Sequence, residues 1–226
     1  VERLAEVAPA QRLRGYRADL SSLAEVRSLA AAVRGAEPRL DVLVNNAGIG
    51  DRGPDGERRE ESRDGHELRF AVNYLAAFLL THELLETLVD SAPARIVNVS
   101  SGGQVPIDFD DVMLERSYSG MRAYCQSKLA QILFTFDLAE QLTGTGVTAT
   151  ALHPATYMPT KMVRTPMSTL EEGVDATLRL VADPALAGVS GRYFSGRRES
   201  TPDIQAYDPA ARRRLRELSR RLTGLE

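Results

Sequence analysis

Tyr124 and Lys128 stand four residues apart in Tyr124-Cys125-Gln126-Ser127-Lys128, inside a stretch whose apolar spacing predicts a helix. Residues at i and i+4 share one helical face. A cation beside a phenol favours the phenolate and draws down a pKa that is otherwise about 10. Such a pair can give and take a proton near neutral pH. Ser100 and Ser101 end the apolar run Arg95-Ile96-Val97-Asn98-Val99. A serine at the end of a neighbouring strand can hydrogen-bond the substrate oxygen that receives that proton. Tyr-x-x-x-Lys alone is a weak signal, so its meaning depends on the elements around it.

Those elements alternate between strand and helix patterns. Asp41–Val44 is a continuous apolar strand, as expected where both faces of a sheet are covered. Asn45-Asn46-Ala47-Gly48 then turns; small residues there let the backbone approach a ligand closely, and Asn side chains can pin the turn. Glu67–Val89 reads as one long helix carrying Asn73, and Arg95–Val99 as a buried strand. Met121–Leu142 is the helix of Tyr124 and Lys128, packed through Leu129, Ile132, Leu133 and Phe136 and ended by Thr143-Gly144. Val147–Leu152 is a further strand, followed by His153-Pro154. A histidine before proline at a strand end reads as structural, and no Gly-x-Ser-x-Gly elbow supports a hydrolase.

The flanks follow the same logic. Val1–Ala8 reads as the tail of a helix and Leu13–Ala18 as a short strand. Ser22-x-x-Glu25 fits a capping box for a helix through Val33, and Ser168-x-x-Glu171 fits another for a helix to about Ala182. Asp51–Gly65 reads as a mobile, charged surface loop. Asp108, Asp110 and Asp111 read as a solvated acidic loop, because their spacing does not match a calcium loop. Met158, Met162 and Met167 suggest an adaptable apolar lid over a substrate. Gly191–Phe194 is a last strand and Glu199–Gln205 a linker. Pro209–Leu222, within a C-terminal segment 206–226, is a basic amphipathic helix expected to dock through Leu215, Leu218 and Leu222.

Taken in order, Asn45-Asn46-Ala47-Gly48, Asn73, Ser101, Tyr124, Lys128 and His153-Pro154 resemble the short-chain dehydrogenase/reductase family, from near the start of the chain to about Gly196. The wording of Arg95–Ser101 and Ala123–Leu133 is most similar to the retinol-dehydrogenase-like branch. The resemblance implies an α/β fold with a doubly wound parallel sheet over residues 1–226, binding NAD or NADP. It implies hydride transfer between that cofactor and a carbonyl or alcohol substrate. Ser101 would orient the oxygen, Tyr124 pass the proton, Lys128 hold the nicotinamide ribose and Asn73 anchor a relay water. Asp19 and Leu20 would approach the adenine, although Asp19 equally suits a local turn. Asn46, Ala47, Gly48 and Pro154 would line the cofactor. Thr156 and Thr160 are both candidates for the nicotinamide carboxamide, since Pro159 falls where the family's threonine stands and Ala155 replaces its usual glycine. The family's glycine-rich phosphate loop does not occur, so roughly 40 residues, a strand, a helix and a second strand, are expected before Val1. The alternative is a non-catalytic nucleotide-binding regulatory protein on the same scaffold.

Composition narrows the remaining classes. With 43% hydrophobic and 26% charged residues, the 226-residue chain suits one globular domain. A net charge of -3 gives no reason to expect nucleic acid as a partner. The single cysteine, Cys125, rules out an internal disulfide, has no zinc-ligand set around it and suggests a cytoplasmic setting. No run approaches the roughly 20 apolar residues of a membrane span. The family resemblance also implies a homo-oligomer, dimer or tetramer, paired through Glu67–Val89 and Met121–Leu142, with Leu75, Leu79 and Phe134 on the outward face.

Overall fold

The computed structural model describes residues 13–50, 58–160, 163 and 165–225. The expected helix tail at Val1–Ala8, the first part of the Asp51–Gly65 loop and Met162 lie outside the described residues. In chain order the main elements are α1 (Leu23–Ala36), β1 (Val42–Asn45), α2 (Leu68–Phe70), a π-helical turn (Ala71–Leu75), α3 (Ala76–Glu83) and α4 (Leu85–Asp90). They continue with β2 (Ala94–Val99), α5 (Gly120–Gln141), β3 (Val147–His153), α6 (Leu170–Ala182), β4 (Arg192–Ser195), β5 (Arg198–Ser200) and α7 (Pro209–Thr223). The strands form one sheet in the order β1-β2-β3-β4-β5. Its first four strands run parallel, and β5 returns antiparallel to β4.

Strand periodicity assigns the two faces. Ala94 and Ile96 of β2, with Ala149 and Ala151 of β3, turn toward a large core built with α5 and the helices before β2. Val97, Val99 and Leu152, with Phe194 of β4, turn the other way, onto Ala176 and Leu180 of α6. Both faces of β2 and β3 are thus covered, which is why their sequences are largely apolar. α5 is buried along most of its length, from Ala123 to Leu138. Each of Leu129, Ile132 and Leu133, fully enclosed there, contributes about 1.5–3 kcal/mol.

α7 closes this side of the molecule. Leu215 is buried, and Leu218 and Leu222 pack against the main core. The Ser219 and Tyr74 hydroxyls share a 2.6 Å hydrogen bond. Arg212 meets Glu140 at 2.6 Å and Arg216 meets Asp137 at 2.8 Å. The C-terminal helix therefore docks as its apolar stripe suggests. Among the described residues, no helix is long and apolar enough to cross a membrane.

Several expectations are corrected. Leu13–Ala18 is not a strand, because no neighbour among the described residues offers it a ladder to pair with. Glu67–Val89 is not one helix: a π turn interrupts it at Ala71–Leu75 and Leu84 breaks it again. Leu75, Leu79 and Phe134 are not outward-facing; all three are buried within the chain's own packing. Tyr74, beside them, is covered by Ser219 of α7. At α1 only half of the expected capping box forms: Ser22 accepts from Glu25 N, while the Glu25 carboxylate turns to Asp19 N and Arg63. The box opening α6 is formed by Thr169 and Glu172, one residue later than Ser168 and Glu171. Glu199 and Ser200 belong to β5 rather than to a linker. Residues 58–65 are not a loose loop either, since Arg63 N donates to Ser21 O, Asp64 accepts from Leu23 N and Arg59 donates to Met113 O.

Candidate active site

The carboxyl end of β2 and the turn after β1 meet Lys128 of α5. Ser119 caps α5 by accepting from Arg122 N, which sets the helical phase that places Lys128 inward. Lys128 is buried, and its Nζ donates to Val99 O at 2.9 Å and to Gln131 Oε1 at 3.0 Å. Among the described residues no carboxylate pairs with it. Burial lowers its pKa from 10.5 to about 8. Its Nζ stands 5.9 Å from the centre of the Tyr124 ring. The expected i, i+4 pair is therefore assembled, with the phenol partly open to solvent and the ammonium behind it.

Asn73 sits in the π turn, a geometry that often marks functional positions. It is wholly buried. Its side chain holds the turn after β1 with paired hydrogen bonds: Oδ1 accepts from Ile49 N at 2.7 Å, and Nδ2 donates to Ile49 O at 3.1 Å. Nδ2 also donates to Ser127 Oγ at 3.0 Å, and Ser127 Oγ donates to Tyr124 O at 2.7 Å. One amide thus ties the Asn45–Gly48 turn to α5. Gly48 completes the junction. A Cβ there would lie 3.1 Å from Asn73 Oδ1 and 3.5 Å from Lys128 Nζ. Asn46 and Ala47, next to it, are exposed.

Ser101 follows β2 and accepts from Gly103 N at 3.1 Å through its hydroxyl. Its carbonyl accepts from Tyr193 OH at 2.9 Å. Burial chiefly pushes the Tyr193 phenol up to about 12, and the nearby Tyr124 adds to the effect. Tyr193 therefore anchors the Ser101 backbone. His153 Nε2 and Thr156 Oγ1 are 3.1 Å apart, and the ring packs against Gly102. Burial lowers the His153 pKa, which agrees with a structural role. Pro154 is buried, Thr156 exposed and Thr160 intermediate.

The outlying candidates divide. The Asp19 carboxylate accepts from Ser21 N and Ser21 Oγ and pairs with Arg63, so it forms the local turn; Leu20 beside it is partly buried. The lid methionines do not form one wall. Met158 lies against Gly173 of α6, where a Cβ would come within 2.1 Å of its sulfur, whereas Met167 is 72% exposed. The acids before α5 serve as local partners: Asp108 pairs with Arg122, Asp110 with Arg214, and Asp111 accepts from Glu115 N and Arg116 N.

Sequence reasoning missed three features. Gln131 lies three residues beyond Lys128 on the same helical face, a spacing that could have revealed it. Tyr193 comes from β4 and carries no local signal. The third is a buried clamp. Arg69 Nη1 donates to Tyr118 OH at 2.6 Å and its Nε to Gly50 O at 3.0 Å, while Glu67 lies 3.7 Å from Arg69. Chiefly because it is buried, the Glu67 carboxyl is pushed above its usual range. The clamp ties the segment after Gly48 to the loop that leads into α5.

A family model described as short chain dehydrogenase matches residues 1–170. Retinol dehydrogenase 13 of Homo sapiens is 40% identical over 233 residues, covering 92% of this chain and 68% of that protein. An uncharacterized protein from Mycobacterium paratuberculosis has a solved structure that superposes with a TM-score of 0.73 at 29% identity, covering 99% of this chain and 81% of that one. An NADPH-bound carbonyl reductase from chicken fatty liver shares the fold, with a TM-score of 0.64, 24% identity and coverage of 89% and 81%. The chain belongs to the short-chain dehydrogenase family. Its class of activity is that of an oxidoreductase.

Proposed function

We propose that the protein transfers a hydride between a nicotinamide cofactor, NAD or NADP, and a small carbonyl or alcohol substrate. The observation that carries this reading is Lys128: a buried ammonium with only neutral hydrogen-bond acceptors, set 5.9 Å from a partly open phenol. Burying a charge without a counter-charge is costly and serves no packing purpose. Such a group in a cleft is a functional candidate. The retinol dehydrogenase and NADPH-bound carbonyl reductase relatives support the substrate class and the cofactor class.

The bare backbone at Gly48 suits close approach of a dinucleotide, and a Cβ there would press on Asn73 Oδ1. Asn46, Ala47, Gly48, Lys128, Pro154, Thr156 and Thr160 would hold the cofactor, with Asp19 and Leu20 toward its adenine end. When bound, the nicotinamide ring gives or takes the hydride. Tyr124 passes the proton to or from the substrate oxygen, which Ser101 orients through its hydroxyl. Lys128 favours the phenolate by its charge. Asn73 keeps the Gly48 turn in register with α5 and would anchor a relay water. Tyr124→Phe removes the proton while keeping the ring. It should lower kcat with NADH or NADPH and a panel of aldehydes by about 100-fold or more. Activity within tenfold of the parent overturns the reading.

A further inference from the structure

An ammonium has three protons to place. Lys128 spends two of them on neutral protein oxygens, Val99 O and Gln131 Oε1. The orientation of the Gln131 amide follows: its oxygen must face the donor, so its Nε2 points away. That Nε2 is buried and has no protein partner. The residue is itself completely buried, so its amide sits where an apolar side chain would ordinarily serve packing better.

The backbone under Gln131 is held with equal care. Thr135 Oγ1 donates to Gln131 O at 2.7 Å, and Asn98 Nδ2 of β2 donates to Thr135 Oγ1 at 2.8 Å. Asn45 Nδ2 of β1 lies 2.8 Å from Asn98 Oδ1 and 3.0 Å from Thr81 Oγ1 of α3, a donor to both. Four buried polar side chains, Thr81, Asn45, Asn98 and Thr135, thus run from two strands and a helix to the backbone carbonyl of Gln131.

We propose that Gln131 is a positioning residue for the reaction: with Val99 O it anchors the Lys128 ammonium, leaves one N–H for the site, and, being neutral, leaves the lysine's charge to act on Tyr124. This rests on the reading of Tyr124 and Lys128 given above. The surroundings agree. Tyr124 is the titratable group facing Lys128 from its own helix, and Tyr193 of β4 faces Tyr124 in turn. His153 at the end of β3 packs on Gly102. The π turn contributes Asn73, the β1 turn Gly48 and β2 a carbonyl, all neutral. Burial alone lowers the lysine pKa, so no acid already offsets its charge.

The chain has two lysines, Lys128 and Lys161, so lysine-selective carbon-13 labelling resolves the titration of each. In Gln131→Glu a carboxylate meets the ammonium, and the Lys128 midpoint should rise by about one unit or more. Gln131→Met keeps the volume but removes the acceptor; the midpoint should fall, and kcat for NADPH-dependent aldehyde reduction should drop about tenfold or more. If Gln131→Met does not fold, Gln131→Asn, which withdraws the amide by one methylene, should show the same loss of kcat. A Lys128 midpoint within about 0.3 units of the parent in Gln131→Glu, or an unchanged kcat in Gln131→Met or Gln131→Asn, overturns the proposal. Tyr124→Phe is assayed in parallel. If it stays active, the acid–base reading fails, whereas the lysine titration still judges the Gln131 contact on its own.

Discussion

Lys128→Met converts the electrostatic cost of the site into a measurable stability difference. The Lys128 ammonium titrates at about 8 in the folded protein instead of 10.5, because burial disfavours its charge. Between those two values the unfolded chain binds more protons than the folded one, so stability rises with pH across that window. Below about pH 8 both states carry the charge and the whole cost is present. At about 1.36 kcal/mol per unit the full difference is about 3 kcal/mol, of which about 2.5 kcal/mol is recovered between pH 7 and pH 10. Methionine has no such dependence. It does leave Val99 O and Gln131 Oε1 without their donor, at a cost of about 1 kcal/mol each. At pH 7 the variant should therefore be between neutral and about 2 kcal/mol more stable than the parent, while losing its activity. By pH 10 the parent should have gained about 2.5 kcal/mol relative to the variant. Urea denaturation of both proteins at the two pH values measures this, and other titrating groups cancel in the comparison. A stability difference that stays constant within about 0.5 kcal/mol would show that the ammonium is not desolvated, and the electrostatic account of the site would fall.

Three further outcomes follow from the packing. Arg69→Met should cost about 3–5 kcal/mol in urea denaturation at pH 7, because Glu67 is left buried without its counter-charge; Glu67→Gln added to it should recover part of the loss, and a cost below about 1 kcal/mol would contradict the clamp. Gly48→Ala should leave the fold in place by circular dichroism yet weaken NADPH binding in calorimetry by about tenfold or more, since its Cβ would crowd Asn73 Oδ1 at 3.1 Å. Unchanged affinity would place the cofactor elsewhere. Leu215→Ala should lower stability by about 2–4 kcal/mol in urea denaturation, as a cavity under the C-terminal helix requires; a surface-like loss below about 0.5 kcal/mol would show that α7 does not dock.

What the sequence determined on its own is local and periodic. The four-residue spacing of Tyr124 and Lys128 settles that they share a helical face, and the largely apolar runs at Ile96–Val99 and Val147–Leu152 mark strands covered on both faces, whereas the apolar run at Val42–Val44 misleads, since Val44 of β1 is exposed. The narrow leucine stripe of α7 was enough to anticipate docking. Tertiary structure decided everything that depends on a partner distant in the chain. Leu13–Ala18 finds no neighbour among the described residues to complete its hydrogen bonds, and a strand exists only as a pair. Leu75, Leu79 and Phe134 look like a free apolar face until the chain's own helices pack over them. The π turn at Ala71–Leu75 leaves no trace in the apolar pattern, because its residues are buried on nearly every side. Asn73 and Tyr193 acquire their meaning only from Ile49 and Ser101, brought to them by other elements. A hydrogen bond has no periodicity along the sequence, so a site assembled by hydrogen bonds between elements becomes visible only when those elements are packed.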